Sequence, residues 1–232
     1  MINAPKIYKM RIVFRVLEKS AEQLNVFNAV RKMILDSGLP FEPAKVNPRW
    51  PRFAYGPAPA KGQWAEREYL DIYLRTSCSE QDVRQALEKA APPAVELLQL
   101  TRVPYPLPSV QNLAAAVRYR VKGDFSRFGL SGRKIEDWAK ASNILVTLRS
   151  LNGMLCQKDL TPGLLNASTL APDEVALTLA PINGKWVPPQ WFIAAWSGIE
   201  IPAQEEVFEI DGLNFIRQNF YWQDSQGELH PM

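Results

Sequence analysis

Histidine and cysteine are almost missing from this chain. His230 is the single histidine, and Cys78 and Cys156 are the only cysteines in 232 residues. A Ser-His-Asp triad, a His-based or Cys-His zinc site and a cysteine-ligated iron–sulfur cluster are therefore excluded from one chain. A disulfide framework is excluded with them. Long apolar runs are missing too. No stretch approaches the roughly 18 residues that span a bilayer. The opening residues, Met1-Ile2-Asn3-Ala4-Pro5-Lys6, lack the apolar core of a signal peptide. No cofactor, metal or membrane is called for, and a cytoplasmic location is expected.

What is present suits a folded protein. Hydrophobic residues make up 47% and charged residues 22%, which places the chain among globular rather than disordered sequences. Nineteen prolines fall between the periodic segments, as firm connections in a multi-strand fold would place them. The net charge of +3 hides an asymmetry. Residues 1–108 carry 16 Lys+Arg against 11 Asp+Glu, whereas residues 109–232 carry 11 against 13. A basic first half points to a polar or anionic partner, because net charge bears on association rather than on fold.

Residues 6–17 alternate Ile12, Phe14 and Val16 with Arg11, Val13 and Arg15, the period of a strand with one buried face. A helix is predicted from Ser20 or Ala21 to Ser37, stopped by Gly38-Leu39-Pro40. Residues 52–55 fit a short strand and 68–75 a clear one. Ser79 caps a helix over 80–91, and 95–103 is a fourth strand. That order, βαββαβ, is the ferredoxin-like plan. Residues 104–108 (PYPLP) read as a stiff linker. Strands over 116–122, 144–151, 154–160, 174–180, 206–210 and 213–222, with helices over 131–142 and 190–197, then look like a second copy. The expected fold class is α+β: two tandem ferredoxin-like domains, 1–103 and 109–232, each an antiparallel sheet with helices on one face.

Chemistry concentrates in the proline-rich loop 41–63. Lys45, Arg49 and Arg52 alternate there with Trp50, Phe53 and Tyr55. Guanidinium forks suit phosphates or carboxylates, and aromatic faces stack on bases. Asn47, Arg49, Arg52, Tyr55 and Lys61 are the candidate substrate-binding residues. The bland alternative is that Trp50 and Phe53 pack on the sheet while the arginines cover its edge. Glu68 and Asp71 fall on opposite faces of a strand, so they make no carboxylate pair, and an exposed edge or a partnership with Arg67 or Arg75 is expected of them. The glycines of 123–132 (GDFSRFGLSG) follow no Walker pattern and read as a loop. Trp191 and Trp196 read as core, with a protein-docking face as the alternative.

The residues of the first half carry a likeness. Arg11-Ile12-Val13-Phe14, Ser37-Gly38-Leu39-Pro40, Asn47-Pro48-Arg49, Arg52, Tyr55-Gly56-Pro57-Ala58, Gly62 and Glu68-Tyr69-Leu70-Asp71-Ile72 together resemble the radical-SAM-linked family of uncharacterised bacterial proteins. In the second half the likeness is confined to element order and to Leu170-Ala171-Pro172-Asp173-Glu174. Two departures stand out. Glu22-Gln23-Leu24-Asn25 occupies the place of the family's Ser-His-Leu-Asp, and Lys45-Val46 that of its Gly-Phe. Replacing His and Asp by Gln23 and Asn25 removes both titratable groups and keeps amides.

The resemblance implies an accessory role beside a radical SAM enzyme, with RNA as the candidate substrate. This chain lacks the three closely spaced cysteines of such an enzyme. Its residues favour binding over catalysis: a subunit that presents a polar or anionic substrate to that partner. An RNA-binding or RNA-processing protein acting alone and a protein–protein adaptor are the alternatives.

Overall fold

A computed structural model of the chain describes residues 7–17, 25–57, 64–130, 132–202 and 209–232. They form a mixed α+β structure, mostly sheet with few helices. The chain divides into two compact units, Met1–Ala114 and Ala115–Met232. No helix among the described residues is long and apolar enough to cross a membrane.

In the first unit, β1 (Tyr8–Val16), β2 (Phe53–Tyr55), β3 (Trp64–Leu74) and β4 (Val95–Val103) pair antiparallel in the order β4-β1-β3-β2. The pleat sends Met10, Ile12 and Phe14 of β1 and Leu70, Ile72 and Leu74 of β3 to one face. Two amphipathic helices cover it, α1 (Val26–Asp36) through Val26, Val30, Met33 and Ile34, and α2 (Glu80–Ala90) through Val83 and Leu87. Asn25 caps α1, its Oδ1 accepting the Asn28 amide at 3.0 Å, and Ser79 caps α2 through the Asp82 amide at 3.0 Å. The helix predicted from Ser20 or Ala21 thus begins at Val26; residues 18–24 lie outside the described set.

The other face of this sheet is covered as well. Residues 104–108, read from sequence as a linker, run along it, followed by the short helix α3 (Val110–Leu113). Lys9, 1% exposed, donates its ammonium to the carbonyls of Tyr105, Leu107 and Pro108. Arg11 grips Asp71 with two bonds, Nε to Oδ1 at 2.8 Å and Nη2 to Oδ2 at 3.1 Å. Arg11 also reaches the Pro108 carbonyl at 3.2 Å, and Asp71 Oδ2 accepts the Val110 amide at 2.9 Å. Burial pushes the Lys9 amine below its ordinary value, and the Asp71 carboxylate works against that.

The second unit departs from the expected repeat. β5 (Ala116–Gly123), β8 (Leu164–Ala171), β9 (Glu174–Leu179) and β11 (Leu213–Gln223) form an antiparallel sheet in the order β8-β9-β5-β11, with β12 (Leu229–Pro231) returning along β11. β6 (Leu145–Arg149) and β7 (Leu155–Asp159) instead join β10 (Ile201–Pro202) in a separate sheet. The sheet order β11-β5-β9-β8 matches β4-β1-β3-β2 of the first unit, but the hairpin expected within it, 144–160, stays outside that sheet. The reason is visible in the hairpin itself: all five residues of β7 are exposed, so it has no apolar face to bury in a main sheet. β8, where no strand is expected from periodicity, takes a place there.

Helix α4 (Ile135–Ala139) is shorter than its 131–142 expectation. It is tied to β8 by Glu136, whose carboxylate accepts the Thr169 amide at 2.6 Å and its hydroxyl at 2.8 Å. Helix α5 (Pro189–Ser197) buries Phe192, Ile193, Ala194 and Trp196 and ends at Gly198 in the left-handed region. Trp196 is thus core, as expected, while Lys158 lies 4.6 Å over the Trp191 ring. The strand expected over 206–210 falls largely outside the described residues.

Three substitutions test such ties. Asp71→Ala strands Arg11 and Lys9 against a covered face and should cost about 3–5 kcal/mol in urea unfolding. Lys32→Ala, which breaks the exposed Lys32–Asp36 pair, should cost under about 1 kcal/mol. The hydrogen bonds from Thr169 hold the Glu136 carboxyl below its ordinary value of 4.5. Its contribution is complete above that value and is lost as pH falls through the depressed one. Glu136→Gln should therefore destabilise the protein at pH 7 and flatten the acid limb of a Tm–pH profile below pH 4.5.

Candidate functional site

Residues 42–52 of the loop that carries the candidates form a closed structure. Arg52 N donates to Glu42 O at 2.6 Å, Ala44 N to Trp50 O at 2.8 Å and Trp50 N to Asn47 O at 2.9 Å. Asn47 Oδ1 accepts the Arg49 amide at 3.0 Å, the Asx turn that lets the chain reverse at Pro48. Bonds at three levels, with prolines between them, leave the tip little freedom to lose on binding.

The pleat of β2 then divides the expected site. Tyr55 turns to the helix-covered face, 5% exposed, and packs near Phe14 and Phe27 with ring centroids 6.0 and 6.4 Å away. Its hydroxyl donates to Glu68 Oε2 at 2.9 Å. Glu68 is fully buried, in the same row as Leu70 and Ile72, which corrects its reading as an exposed edge acid. Asp71, on the opposite face, is fully buried too. Both faces of the sheet are covered here, so from Glu68 to Leu74 both rows of β3 are buried. The opposite orientation of the two acids is as expected.

Arg52 points to the face that carries Asp71. Its guanidinium lies 4.2 Å from the Tyr73 ring, and Nη1 donates to Tyr105 Oη at 3.3 Å. This arginine holds residues 104–108 down rather than presenting a fork to solvent. Lys61 lies outside the described residues. Asn47, Arg52 and Tyr55 thus serve three different local structures, and the expected set is not one pocket.

What remains exposed is the tip. Lys45, Val46, Pro48, Arg49 and Trp50 are exposed, and among the described residues neither Lys45 nor Arg49 has a side-chain hydrogen bond or ion pair. Arg31 of α1, which sequence reasoning missed, joins them. Its guanidinium lies 4.2 Å over the Trp50 ring and 5.0 Å over Phe27. Phe27 in turn packs on Phe53 at 5.0 Å, so the bland alternative holds for Phe53 but not for Trp50, which is 40% exposed. The signal that could have found Arg31 is its spacing four residues after Phe27, one turn along the helix surface. The result is a cationic patch of Arg31, Lys45 and Arg49 around one aromatic ring.

Near the C-terminus Asp224, Glu228 and His230 bring their ligand atoms within 4.8 Å of one another. His230 Nε2 lies 2.8 Å from Asp224 Oδ2, while Asp224 Oδ1 accepts the amides of Gln226 and Glu228 at 2.9 and 2.8 Å. The hydrogen bond with His230 heads the causes that hold the Asp224 carboxyl low. These bonds close the β11–β12 turn.

A sheet-rich α+β chain with a preorganised cationic loop defines a class of protein, not a reaction. Residues 22–187 match the family described as "Uncharacterized protein conserved in bacteria (DUF2344)", and the chain belongs to it. The match includes α1, the loop and most of the second unit. No curated protein matches the chain. Asn25 is the α1 cap, a position where an amide and a carboxylate both cap well. Gln23 lies outside the described residues.

Because Tyr55 and the tip belong to different local structures, their substitutions should separate. Tyr55→Phe leaves the buried Glu68 carboxylate one donor short and should cost about 1–3 kcal/mol of stability in chemical denaturation. Ligand binding at the tip should be unchanged.

Proposed function

We propose that this protein is a binding subunit that holds an anionic, base-bearing ligand, RNA, on the patch formed by Arg31, Lys45, Arg49 and Trp50. The carrying observation is that Lys45 and Arg49, which lack side-chain partners among the described residues, share a loop closed by backbone bonds with an exposed ring on which Arg31 stacks. Phosphates attract the cations, and a base can stack on the indole face left open. Asn47 shapes the turn, and Arg52 anchors the loop's base. In the first unit, the βαββαβ order with strands 4-1-3-2 and both helices on one face is a ferredoxin-like plan, which supports a platform for such a loop. The likeness to radical-SAM-linked proteins supports a radical SAM enzyme as the partner to which the ligand is presented.

Fluorescence anisotropy of a labelled small-RNA pool against the purified chain, at low and physiological salt, tests this reading. Affinity should fall steeply with salt. Lys45→Ala with Arg49→Ala should flatten the log–log salt slope by roughly 0.7 per lost phosphate contact. Trp50→Ala should weaken binding at every salt concentration by about 1–3 kcal/mol. Absence of binding at low salt, or a double variant with an unaltered slope, would overturn the RNA reading.

A further inference from the structure

A strand at the rim of a sheet presents unpaired N–H and C=O groups, and proteins usually cover them. Two rims of this chain are covered by their own helices. Along β4 the Arg102 amide donates to Glu80 Oε1 at 2.7 Å, and the Leu98 carbonyl accepts from Arg84 of the same helix, α2, at 3.0 Å. Along β8 the Thr169 amide is taken by Glu136 of α4.

β7 has no such cover. It is an edge of the sheet β10-β6-β7, and all five of its residues are exposed. Its ladder with β6 runs from Leu145↔Asp159 to Arg149↔Leu155. The flanking bonds, Leu160 N to Ile144 O at 2.8 Å and Ser150 N to Met154 O at 2.9 Å, fix which residues face β6. Bonding alternates along an antiparallel strand, so Cys156 and Lys158 turn their backbone groups to β6, and Leu155, Gln157 and Asp159 turn theirs outward. Among the described residues, β6 is the one strand paired with β7. Apolar side chains line the same edge: Leu155 is 53% exposed, Met154 67% and Leu151 84%.

Charge decides what fits there. Lys158 lies over the Trp191 ring, and Asp159 accepts the Thr161 amide at 2.8 Å, so the two charges of β7 cancel and both are engaged. Nothing on the strand selects an acidic or a basic segment. An apolar, uncharged strand edge complements it, and a second β7 is one. We propose that β7 pairs antiparallel with β7 of a second copy of this chain, about a two-fold axis at Cys156. Outward residues then meet outward residues, each Leu155 exchanging both backbone bonds with Gln157 of the second copy. An axis at Gln157 would set Leu155 against Asp159, and one at Lys158 would oppose two ammonium groups. An axis at Leu155 would need Asn152 and Gly153, which form the hairpin turn. No residue of the Trp50 patch takes part, so the RNA titration and the test of this pairing fail or succeed independently.

Sedimentation equilibrium of the full chain over a dilution series reads the association. A seam this short belongs to the weak class of interfaces, so monomer at about 5 µM and mostly dimer near 1 mM are expected. Gln157→Pro removes an outward N–H and no bond to β6, and should weaken the dimer at least about tenfold, with circular dichroism to show that the variant folds. Should it not fold, Leu155→Lys, which brings a cation to the seam of each copy, replaces it. Diamide, which oxidises two thiols to a disulfide as it is itself reduced, reads the register. Across a pair that is not hydrogen-bonded the two Cys156 Cα atoms lie about 4.5 Å apart, within disulfide reach. In a Cys78→Ser background a Cys156-linked dimer should form at the higher concentration and vanish in the edge variant. A chain that stays monomeric there, a dimer not weakened in a folded edge variant, or a dimer that diamide fails to link through Cys156 would each overturn the proposal.

Discussion

The first unit depends on one ion pair. Arg11 and Asp71 face each other across β1 and β3, and their two bonds would be an ordinary cross-strand pair if the sheet were open on that side. It is not open. Residues 104–110 lie over it, Asp71 also accepts the Val110 amide, and Lys9 holds three carbonyls of the same stretch. Charges taken out of water need partners with good geometry, and here nearly every partner is backbone or another member of the cluster. The cluster thereby does what an apolar face does on the helix side, and the sheet is buried twice.

That double burial shapes what the loop can offer. A strand with both faces covered has no side chain to spare for a ligand, so Tyr55 and Glu68 are spent inward and Arg52 on the tyrosines. Among the described residues of the loop, the reversal at Asn47-Pro48-Arg49 stands free of the sheet, closed by the bond from Trp50 N to Asn47 O. Its stiffness comes from the ladder below it, and its charge from two loop cations and one helix arginine. Rigid support under an exposed polar tip is the usual division of labour between scaffold and binding loop.

Much of the first unit was legible in the sequence because its signals are local. Alternation in 8–16, Ser79 ahead of an acidic first turn and Gly38-Leu39-Pro40 after α1 each act within a few residues. The second unit was less legible for the same reason in reverse. The segment 155–159 looks like a strand and is one, but which sheet it joins turns on the exposure of every one of its side chains, a property of the neighbours. Leu164–Ala171 lacks a clean period because register irregularities interrupt its pairing with β9.

The candidate site divides likewise. That cations and aromatics alternate in a proline-stiffened loop is written in the order of residues, as is the absence of histidine and cysteine chemistry. Family membership is written there as well. Which of those residues reach solvent is not: period-two pairing of 53–55 with 70–72 sent Tyr55 and Arg52 to opposite faces, and α1 brought Arg31 to Trp50 from nearly twenty positions away. Composition and spacing determine what chemistry a chain carries, because they are covalent facts. Which groups meet is decided by long-range pairing and burial, whose energies no local window contains.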